Sequence, residues 1–215
     1  MKTTLLLIRH GESEANRCAY FAGQLDAELM EKGVMQAEKS AEFVKENYKV
    51  NAIYSSDLQR AYRTAECFSD VLGLDIIKET GLREINGGDF QGKKHAELPV
   101  LYPEEYGKVW LKHIGKAKCP NGESVKEIGE RVIGTLEKIA KQNKGKTLVI
   151  STHATPIRAT QCIVQTGSVD DMENIPWASN ASVTEITYNN GEWELVRASI
   201  DEHLADLRTI FSKNV

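Results

Sequence analysis

The stretch "TLLLIRHGESEAN", residues 4–16, decides how the chain is interpreted. Its apolar residues 5–8 predict a strand that is buried on both faces, as in a parallel sheet. The strand is followed at once by Arg9, His10 and Gly11, which supply a fixed positive charge, an imidazole and a residue at which the backbone can bend sharply. We therefore expect a site at the end of this strand that uses a cation and a nucleophile side by side.

Composition limits the classes of function. The chain has 215 residues, a mass of 24.0 kDa and 41% hydrophobic residues, which suits a single domain over residues 1–215 with one sizeable core. Its net charge of −4 disfavours a nucleic-acid surface, because such binding needs many phosphates to be neutralised. No run approaches the roughly 20 apolar residues of a membrane span. The short apolar run is interrupted by Arg9, which argues against a signal peptide.

The cysteines indicate the compartment. All four lie far apart in sequence and none forms a Cys-x-x-Cys pair: Cys18, Cys67, Cys119 and Cys162. Cysteines scattered in this way are typical of reduced thiols. We therefore expect a cytoplasmic protein that binds neither nucleic acid nor a membrane.

Strand and helix patterns alternate along most of the chain, which predicts an α/β fold with a mostly parallel central sheet. A capping box, Ser124 with Glu127, marks the start of the clearest helix. Asn189, Asn190 and Gly191 indicate a hairpin turn. Strands are predicted at 5–8, 50–56, 74–77, 146–152, 181–188 and 192–198, and helices at 31–46, 58–72, 125–139 and from about Pro156.

Residues 86–121 are an irregular excursion, rich in glycine and proline, for which we predict one or two short helices. The excursion is the best candidate for a cap over a site. The alternative is an ordinary amphipathic helix packed on the sheet. Among its basic and aromatic residues are Tyr102, Tyr106, Lys108, Trp110, Lys112, His113, Lys116 and Lys118.

Two of the five histidines, His10 and His153, directly follow the two most apolar strands, "LLLI" and "LVIST". Ligands of open parallel sheets bind outside the carboxyl ends of the strands. If these strands are neighbours, both imidazoles face one crevice. The alternative is that each histidine is simply a polar residue where a strand meets solvent.

Arginines favour an anion in this crevice. Arg9 precedes His10, and Arg60 begins the helix after another predicted strand, although Arg60 is also compatible with a solvated helix surface. Asn16 is a further candidate donor or, alternatively, a turn or cap residue. Guanidinium forks match phosphate geometry.

A metal site is the competing hypothesis, since two imidazoles and Glu84 satisfy a ligand count. Two unit charges about 4 Å apart interact by about 4 kcal/mol at an effective dielectric of about 20. The arginines would repel a divalent cation by a multiple of that energy and attract a phosphoryl group. We therefore predict a phosphate site with no metal and no cofactor.

The chain resembles the histidine phosphatase superfamily, the phosphoglycerate mutase-like proteins. The resemblance covers nearly the whole chain, and the ordered set of motifs is more specific than the Arg-His-Gly triplet alone. The motifs are "IRHGESEAN", "GQLDAELMEKGVMQA", "SSDLQRAYRTAE", "LREINGGDFQGK" and "ISTHATPIRA". It implies a three-layer α/β/α fold.

The resemblance also implies residue roles. His10 would be the nucleophile that becomes phosphorylated, and Glu84 would give a proton to the leaving oxygen. The remaining implied phosphate contacts are Arg9, Asn16, Gln24, Arg60, His153 and the backbone of Ala154. The chain departs from the family pattern where Ala154 replaces the usual glycine and where Phe90–Gln91–Gly92 replaces Trp-Glu-Gly. Pro156 has no N–H, so we expect fewer anion contacts there.

The resulting prediction is a metal-independent phosphomonoesterase, a phosphoric monoester hydrolase of the histidine acid type, that acts on a small phosphorylated metabolite through a phosphohistidine. "REINGGDFQG" resembles the phosphatase branch, and the excursion has no arginine with which to hold a substrate carboxylate. A phosphoglycerate mutase and a non-catalytic phosphate-binding protein are the alternatives, and a phosphoprotein substrate stays open. Trp177, Asn180 and His203 are further candidates for the border of the pocket.

Overall fold

A six-stranded sheet lies at the centre of the computed structural model, which describes residues 1–209. The strands are β1 (Thr3–Arg9), β2 (Ala52–Ser55), β3 (Ile76–Lys78), β4 (Thr147–Thr152), β5 (Val183–Asn189) and β6 (Glu192–Ile200). Their order is β3-β2-β4-β1-β5-β6. The first four in that order pair in parallel, whereas β1–β5 and β5–β6 are antiparallel. The predicted α/β fold with a mostly parallel sheet is confirmed.

The two apolar strands β1 and β4 are neighbours at the middle of the sheet. They pair from Thr4 with Thr147 to Arg9 with Thr152, so both strands end at the same level. His10 and His153 are the next residues of the two strands. The prediction that the two histidines share one edge of the sheet is therefore confirmed.

Six α-helices surround the sheet: α1 (Glu14–Cys18), α2 (Glu31–Asn47), α3 (Gln59–Leu72), α4 (Leu98–Leu101), α5 (Val125–Gln142) and α6 (Ala154–Thr166). Successive residues of β1 point to opposite faces, as strand geometry requires. Leu5 and Leu7 join a core cluster that includes residues of α5 and α6, whereas Leu6 and Ile8 join one that includes residues of α2 and α3. The result is the three-layer α/β/α arrangement that the resemblance implied.

Local signals place the ends of the helices. The Ser124 hydroxyl accepts the Glu127 N–H at 3.1 Å, and the Glu127 carboxylate accepts the Ser124 N–H at 2.7 Å. This capping box begins α5, as predicted. Helix α3 ends at Gly73, whose φ of 66° lies in the left-handed region. Helix α6 begins two residues before Pro156.

The excursion contains α4, a π-helix (Pro103–Trp110) and short 3-10 turns at Gly88–Phe90 and Ile114–Lys116. Tyr106 and Trp110 belong to the core cluster that also contains Leu5 and Leu7 of β1. The excursion lysines and His113 named in the sequence analysis are exposed. The excursion therefore packs an aromatic face inward and keeps its charges in solvent.

The segment after β6 crosses α2. A 3-10 turn (Glu202–Leu207) places the His203 Nε2 2.9 Å from the Ser40 hydroxyl, and the His203 ring stacks on Phe43 at 4.5 Å. His203 therefore packs on α2 and is absent from the cavity wall described below, so that candidate was wrong. The last six residues of the predicted domain lie outside the described residues. Within residues 1–209, no helix has the length and apolar character needed to cross a bilayer, and all four cysteines are free thiols.

Candidate active site

His10 is held in one tautomer by its own loop. Its backbone N–H donates to the carbonyl of Thr152 on β4 at 3.0 Å, and this bond connects the end of β1 to β4. Its ring Nδ1 lies 2.7 Å from the Gly11 carbonyl oxygen. A carbonyl only accepts, so Nδ1 must carry the proton and the lone pair of the neutral ring is on Nε2. The side chain is almost completely buried, and this leaves one defined nucleophilic nitrogen.

Charge and burial keep the His10 imidazole neutral. Burial, and then the neighbouring charges of Arg60 and Arg9, hold the pKa of His10 well below its usual value. A neutral ring needs no separate base before it attacks an electrophile.

Gly11 is required by close packing. A Cβ on Gly11 would lie 2.2 Å from the carbonyl oxygen of Gly33 in the first turn of α2, and a Cβ on Gly33 would lie 2.2 Å from the carbonyl oxygen of Glu12. The loop after His10 thus contacts the helix backbone to backbone. This contact fixes the direction in which the loop leaves the sheet.

His153 lies beside His10 and is completely buried. The two ring centroids are 5.2 Å apart with an interplanar angle of 63°. The His153 Nε2 lies 2.8 Å from the Ser56 hydroxyl, while its Nδ1 has no hydrogen-bond partner among the described residues. Burial, followed by the charge of Arg60, holds the pKa of His153 well below its usual value.

The two arginines are anchored by backbone carbonyls. Arg9 donates to the Ala178 carbonyl at 2.6 Å, and Arg60 donates to those of Leu25 and Gly23 at 2.9 and 2.7 Å. Burial lowers the pKa of Arg9 to about 10 and also lowers the pKa of Arg60. A pKa of about 10 keeps the Arg9 guanidinium charged at neutral pH. These arginines therefore provide an immobile positive field beside His10.

Glu84 lies on the wall of a cavity that Arg9, His10 and Arg60 also line. Its carboxylate accepts the N–H of Ile85 at 2.8 Å and, more weakly, the N–H of Thr155 in the first turn of α6 at 3.3 Å. Its own carbonyl accepts from the side chains of Gln24 and Arg131 at 3.1 and 3.2 Å. The carboxyl group and the backbone that carries it are thus both held.

The remaining candidates divide into wall and support residues. Asn16 lines the cavity and also caps α1, because its Oδ1 accepts the Ser13 N–H at 3.1 Å. The same Oδ1 accepts a second hydrogen bond, from the side-chain amide of Asn180 at 3.0 Å. Ala154 lines the cavity as well. Gln24 is absent from the described cavity wall, and its side-chain amide supports the backbone of Glu84 instead.

The two other candidates for the border of the pocket have different positions. Trp177 lies on the cavity wall. Asn180 is completely buried and absent from the described wall, so this candidate was wrong as a border residue; it donates to the His10 carbonyl at 3.0 Å and holds the end of the strand.

The cavity has a volume of about 390 Å³. Sequence reasoning missed many of its wall residues, because no local pattern marks a side chain as facing a pocket. They include Phe21, Ile85, His95 and Thr155. None of the excursion lysines lies on the described wall, which instead receives His95, Tyr106 and Trp110 from the excursion.

In chemical terms, an imidazole beside two buried guanidinium groups at the carboxyl edge of a parallel sheet defines a phosphoryl-binding α/β protein. Comparison with known proteins identifies the particular family. The family profile described as "Histidine phosphatase superfamily (branch 1)" matches residues 5–201, and the chain belongs to this superfamily of phosphatases.

Relatives of the chain carry two kinds of name. The metal-independent phosphoserine phosphatase of Arabidopsis thaliana is 30% identical over 211 residues, which cover 95% of this chain and 84% of the relative. The 2,3-bisphosphoglycerate-dependent phosphoglycerate mutase of Bartonella tribocorum is 35% identical over 165 residues, 74% and 80% of the two chains.

A solved structure is also similar to this chain. Phosphoserine phosphatase of Entamoeba histolytica, in complex with 3-phosphoglyceric acid, superimposes with a TM-score of 0.80 at 28% identity. The match covers 94% of this chain and 99% of the other.

Proposed function

We propose that this protein is a metal-independent phosphomonoesterase that hydrolyses a small phosphorylated metabolite through a phosphohistidine on His10, with no cofactor. The observation that carries the proposal is the environment of His10, a buried neutral imidazole with its Nδ1 proton engaged by Gly11. Arg9 and Arg60 supply the positive charge beside it. A neutral nucleophile in a positive field suits attack on a phosphate ester.

In the first half-reaction, the Nε2 lone pair of His10 forms a bond to phosphorus as the phosphorus–oxygen bond to the alcohol breaks. The proton of a protonated Glu84 carboxyl passes to the departing oxygen, which leaves as the neutral alcohol. Glu84 ends the step as a carboxylate. It sits on the cavity wall and accepts from Ile85 and Thr155, and these bonds restrict its orientation.

In the second half-reaction, the Glu84 carboxylate accepts a proton from a water molecule as that water's oxygen attacks phosphorus. The bond between phosphorus and Nε2 breaks, its electron pair returns to the imidazole, and inorganic phosphate leaves. Glu84 regains its proton and His10 is neutral again, so the enzyme is ready for another turnover.

Arginine and histidine groups take the place of a metal in this proposal. Arg9 and Arg60 balance the charge of the phosphoryl oxygens. His153 is absent from the described cavity wall, and we assign its Nδ1, which has no partner among the described residues, to one of these oxygens because the ring lies beside His10. The name of the Arabidopsis relative, a metal-independent phosphoserine phosphatase, supports this division of roles. Asn16 and the Ala154 backbone complete the proposed phosphate contacts. Gln24 instead holds the backbone of Glu84 through its side-chain amide.

Phosphoglycerate mutase activity is the second candidate, favoured by the Bartonella relative. A mutase returns the phosphoryl group to a second hydroxyl of a bound substrate and must therefore hold that substrate firmly. The excursion brings His95, Tyr106 and Trp110 to the described wall and brings no arginine there. We therefore favour water as the acceptor.

The proposal also includes the domain organisation, the cellular location and the kind of partner. We propose one catalytic domain over residues 1–215, in which residues 86–121 form a cap, and a cytoplasmic location. The net charge of −4 supports a small-molecule partner in preference to nucleic acid.

Phosphate release tests the proposal. The wild-type protein, incubated with a panel of phosphomonoesters in the presence of a chelator, should release inorganic phosphate continuously. His10→Asn should reduce the rate by roughly 10⁴-fold or more, because it removes the nucleophile. His113→Asn, at an exposed position, is the matched control and should retain full activity. Isomerised phosphoester without released phosphate would favour the mutase, and an unchanged rate in His10→Asn would exclude His10 as the nucleophile.

A further inference from the structure

Much of the cavity wall around the phosphoryl site is aromatic or apolar. These wall residues are Ala15, Ala19, Phe21, Ala22, Ile85, Tyr106, Trp110 and Trp177, and the uncharged polar ones beside them are Ser13, Asn16, Tyr20, His95, Thr155 and Thr209. Three of the rings contact one another. Phe21 meets Trp110 edge to face at 5.2 Å, and Tyr106 stacks on Trp110 at 6.0 Å.

This wall is formed before any ligand arrives. Phe21, Tyr106 and Trp110 are at least nine-tenths buried and belong to the main core cluster. The Tyr106 hydroxyl is engaged by the His95 ring at 2.9 Å. An apolar group placed against such a wall would bury its surface without ordering new side chains.

Cationic groups on the described wall are confined to the phosphoryl end. They are Arg9 and Arg60, whose charges act on His10. Burial lowers the pKa of His95 and favours its neutral form. The other charged wall residue away from Glu84 is Glu12, which pairs with Lys32 at 3.1 Å. Apart from Arg9 and Arg60, the described wall therefore offers no cation to a second anionic group on a substrate, which would exchange part of its hydration for neutral contacts.

We propose that this pocket selects phosphate monoesters whose alcohol carries an aromatic or apolar group, and that it discriminates against alcohols that carry a carboxylate. The proposal rests on the proposed function and narrows its substrate class. The proposed substrate preference differs from that indicated by the names of the relatives, which mention phosphoserine and phosphoglycerate. Both of those compounds contain a carboxylate. Phe21 and Trp110 are the residues to which we assign the selection.

Two esters with similar leaving groups isolate the selection from the chemistry. 3-Phenylpropyl phosphate and 4-phosphooxybutanoate are both esters of primary alkyl alcohols and differ at the far end of the chain. We expect kcat/KM to be at least about tenfold higher for the phenyl compound, given the apolar area that the pocket can bury. An equal or higher kcat/KM for the carboxylate compound would overturn the proposal.

Binding measurements keep this test separate from the proposed function. Calorimetry measures the affinity of the wild-type protein for each of the two corresponding phosphonates, which cannot be hydrolysed. A preference of about tenfold for the phenyl phosphonate supports the selection even if no phosphate is released, and in that case the proposed hydrolysis alone has failed. Equal affinities would overturn the selection while leaving the hydrolysis intact.

A pair of variants tests whether a wall residue causes the preference for the phenyl ester. Trp110→Leu should lower kcat/KM for the phenyl ester several-fold more than kcat/KM for the carboxylate ester. Tyr102→Leu is the matched control, because Tyr102 belongs to the same excursion, contacts Phe90 and is absent from the described wall. An equal loss for both esters in Trp110→Leu would contradict the assignment.

A gain-of-function variant avoids disturbing the core. Ala22 is half-buried and lies on the wall, so Ala22→Arg would bring a cation to the apolar end. We expect kcat/KM for 4-phosphooxybutanoate to rise by about tenfold, as for a newly formed charged hydrogen bond, and the phenyl ester to gain nothing. A similar rise for both esters would contradict selection by charge.

Discussion

At the residue scale, the structure links the protonation of His10 to its position. The Gly11 carbonyl engages Nδ1 at 2.7 Å, and burial with two nearby arginines lowers the pKa of the ring. The same arginines would attract a phosphate dianion. One pair of charges therefore serves two purposes in the proposed mechanism, since it keeps the nucleophile neutral and binds the group that the nucleophile attacks.

Replacing Glu84 tests its role as proton donor. Glu84→Gln should lower kcat for an alkyl phosphate by roughly 10²- to 10⁴-fold, because an alkoxide is a poor leaving group without a proton. 4-Nitrophenyl phosphate should be affected much less at the phosphorylation step, since nitrophenolate leaves unaided. Rapid-quench measurement of alcohol release compares the two esters. Glu130→Gln, at an exposed position of α5, is the control. An equal loss for both esters would contradict the assignment.

The apolar strand patterns alone were sufficient to bring Arg9 and the two histidines of the site together, whereas the role of Glu84 was implied only by the family resemblance. Arg9, His10 and His153 directly adjoin the ends of two apolar strands, and parallel pairing brings those ends together. The sequence did not place Gln24 or His203, whose surroundings depend on contacts with distant segments. Gln24 contacts the backbone of Glu84, sixty positions away, and no local pattern encodes that contact.

At the element scale, α5 supports the segment that carries Glu84. Arg131 of α5 donates to the carbonyls of Gly81 and Arg83 at 3.0 Å each and to that of Glu84 at 3.2 Å. It also bonds both carboxylate oxygens of Glu123 at 2.9 Å. A planar guanidinium can make these bonds at once, whereas a lysine cannot. Nothing in the α5 sequence distinguished this arginine from a solvated one.

Removing this support should separate positioning from chemistry. Arg131→Met should lower kcat for alkyl phosphates about tenfold or more and destabilise the fold by about 2 kcal/mol, since three carbonyls and Glu123 lose a partner. KM should change little. Steady-state kinetics and urea unfolding measure the two effects. Arg131→Lys keeps the charge and should not restore kcat, and a full rescue by lysine would indicate that charge alone matters.

The long elements were predicted more closely than the short ones. Helices α2, α3 and α5 have strong apolar periodicity, strands β1 and β4 are continuous apolar runs, and all five were predicted close to their observed bounds. The short strand β2 was also predicted, but about two residues too long at its start. Helix α1 and the π-helix are held by caps and tertiary contacts, because segments this short have little intrinsic stability. Strand β3 begins two residues later than predicted and is a short edge strand.

At the scale of the whole molecule, the buried histidines make folding depend on pH. His10 and His153 both have a pKa held well below the usual value, first by burial and then by Arg60. In the unfolded chain each would titrate near about 6.5. Below that pH, the unfolded state binds protons that the folded state does not, so acidification favours unfolding.

Stability should therefore fall as the pH decreases from 7 to 5.5. Each of these histidines contributes a slope of up to about 1.4 kcal/mol per pH unit in the free energy of unfolding. Urea unfolding at several pH values measures the slope. His153→Asn should reduce this slope by the contribution of one histidine, up to about 1.4 kcal/mol per pH unit. His113→Asn, at an exposed site, should leave the slope unchanged. Stability that is constant or increases on acidification would contradict this account.

The most direct test of the central claim is to trap the phosphoenzyme. The protein is mixed with a phosphomonoester, quenched in alkali within milliseconds and mapped by mass spectrometry. The account predicts a single phosphoryl group on His10, bonded to Nε2, which is absent in His10→Asn and accumulates in Glu84→Gln with a 4-nitrophenyl ester. A phosphoryl group on His153, or rapid turnover with no phosphohistidine at any time point, would contradict it.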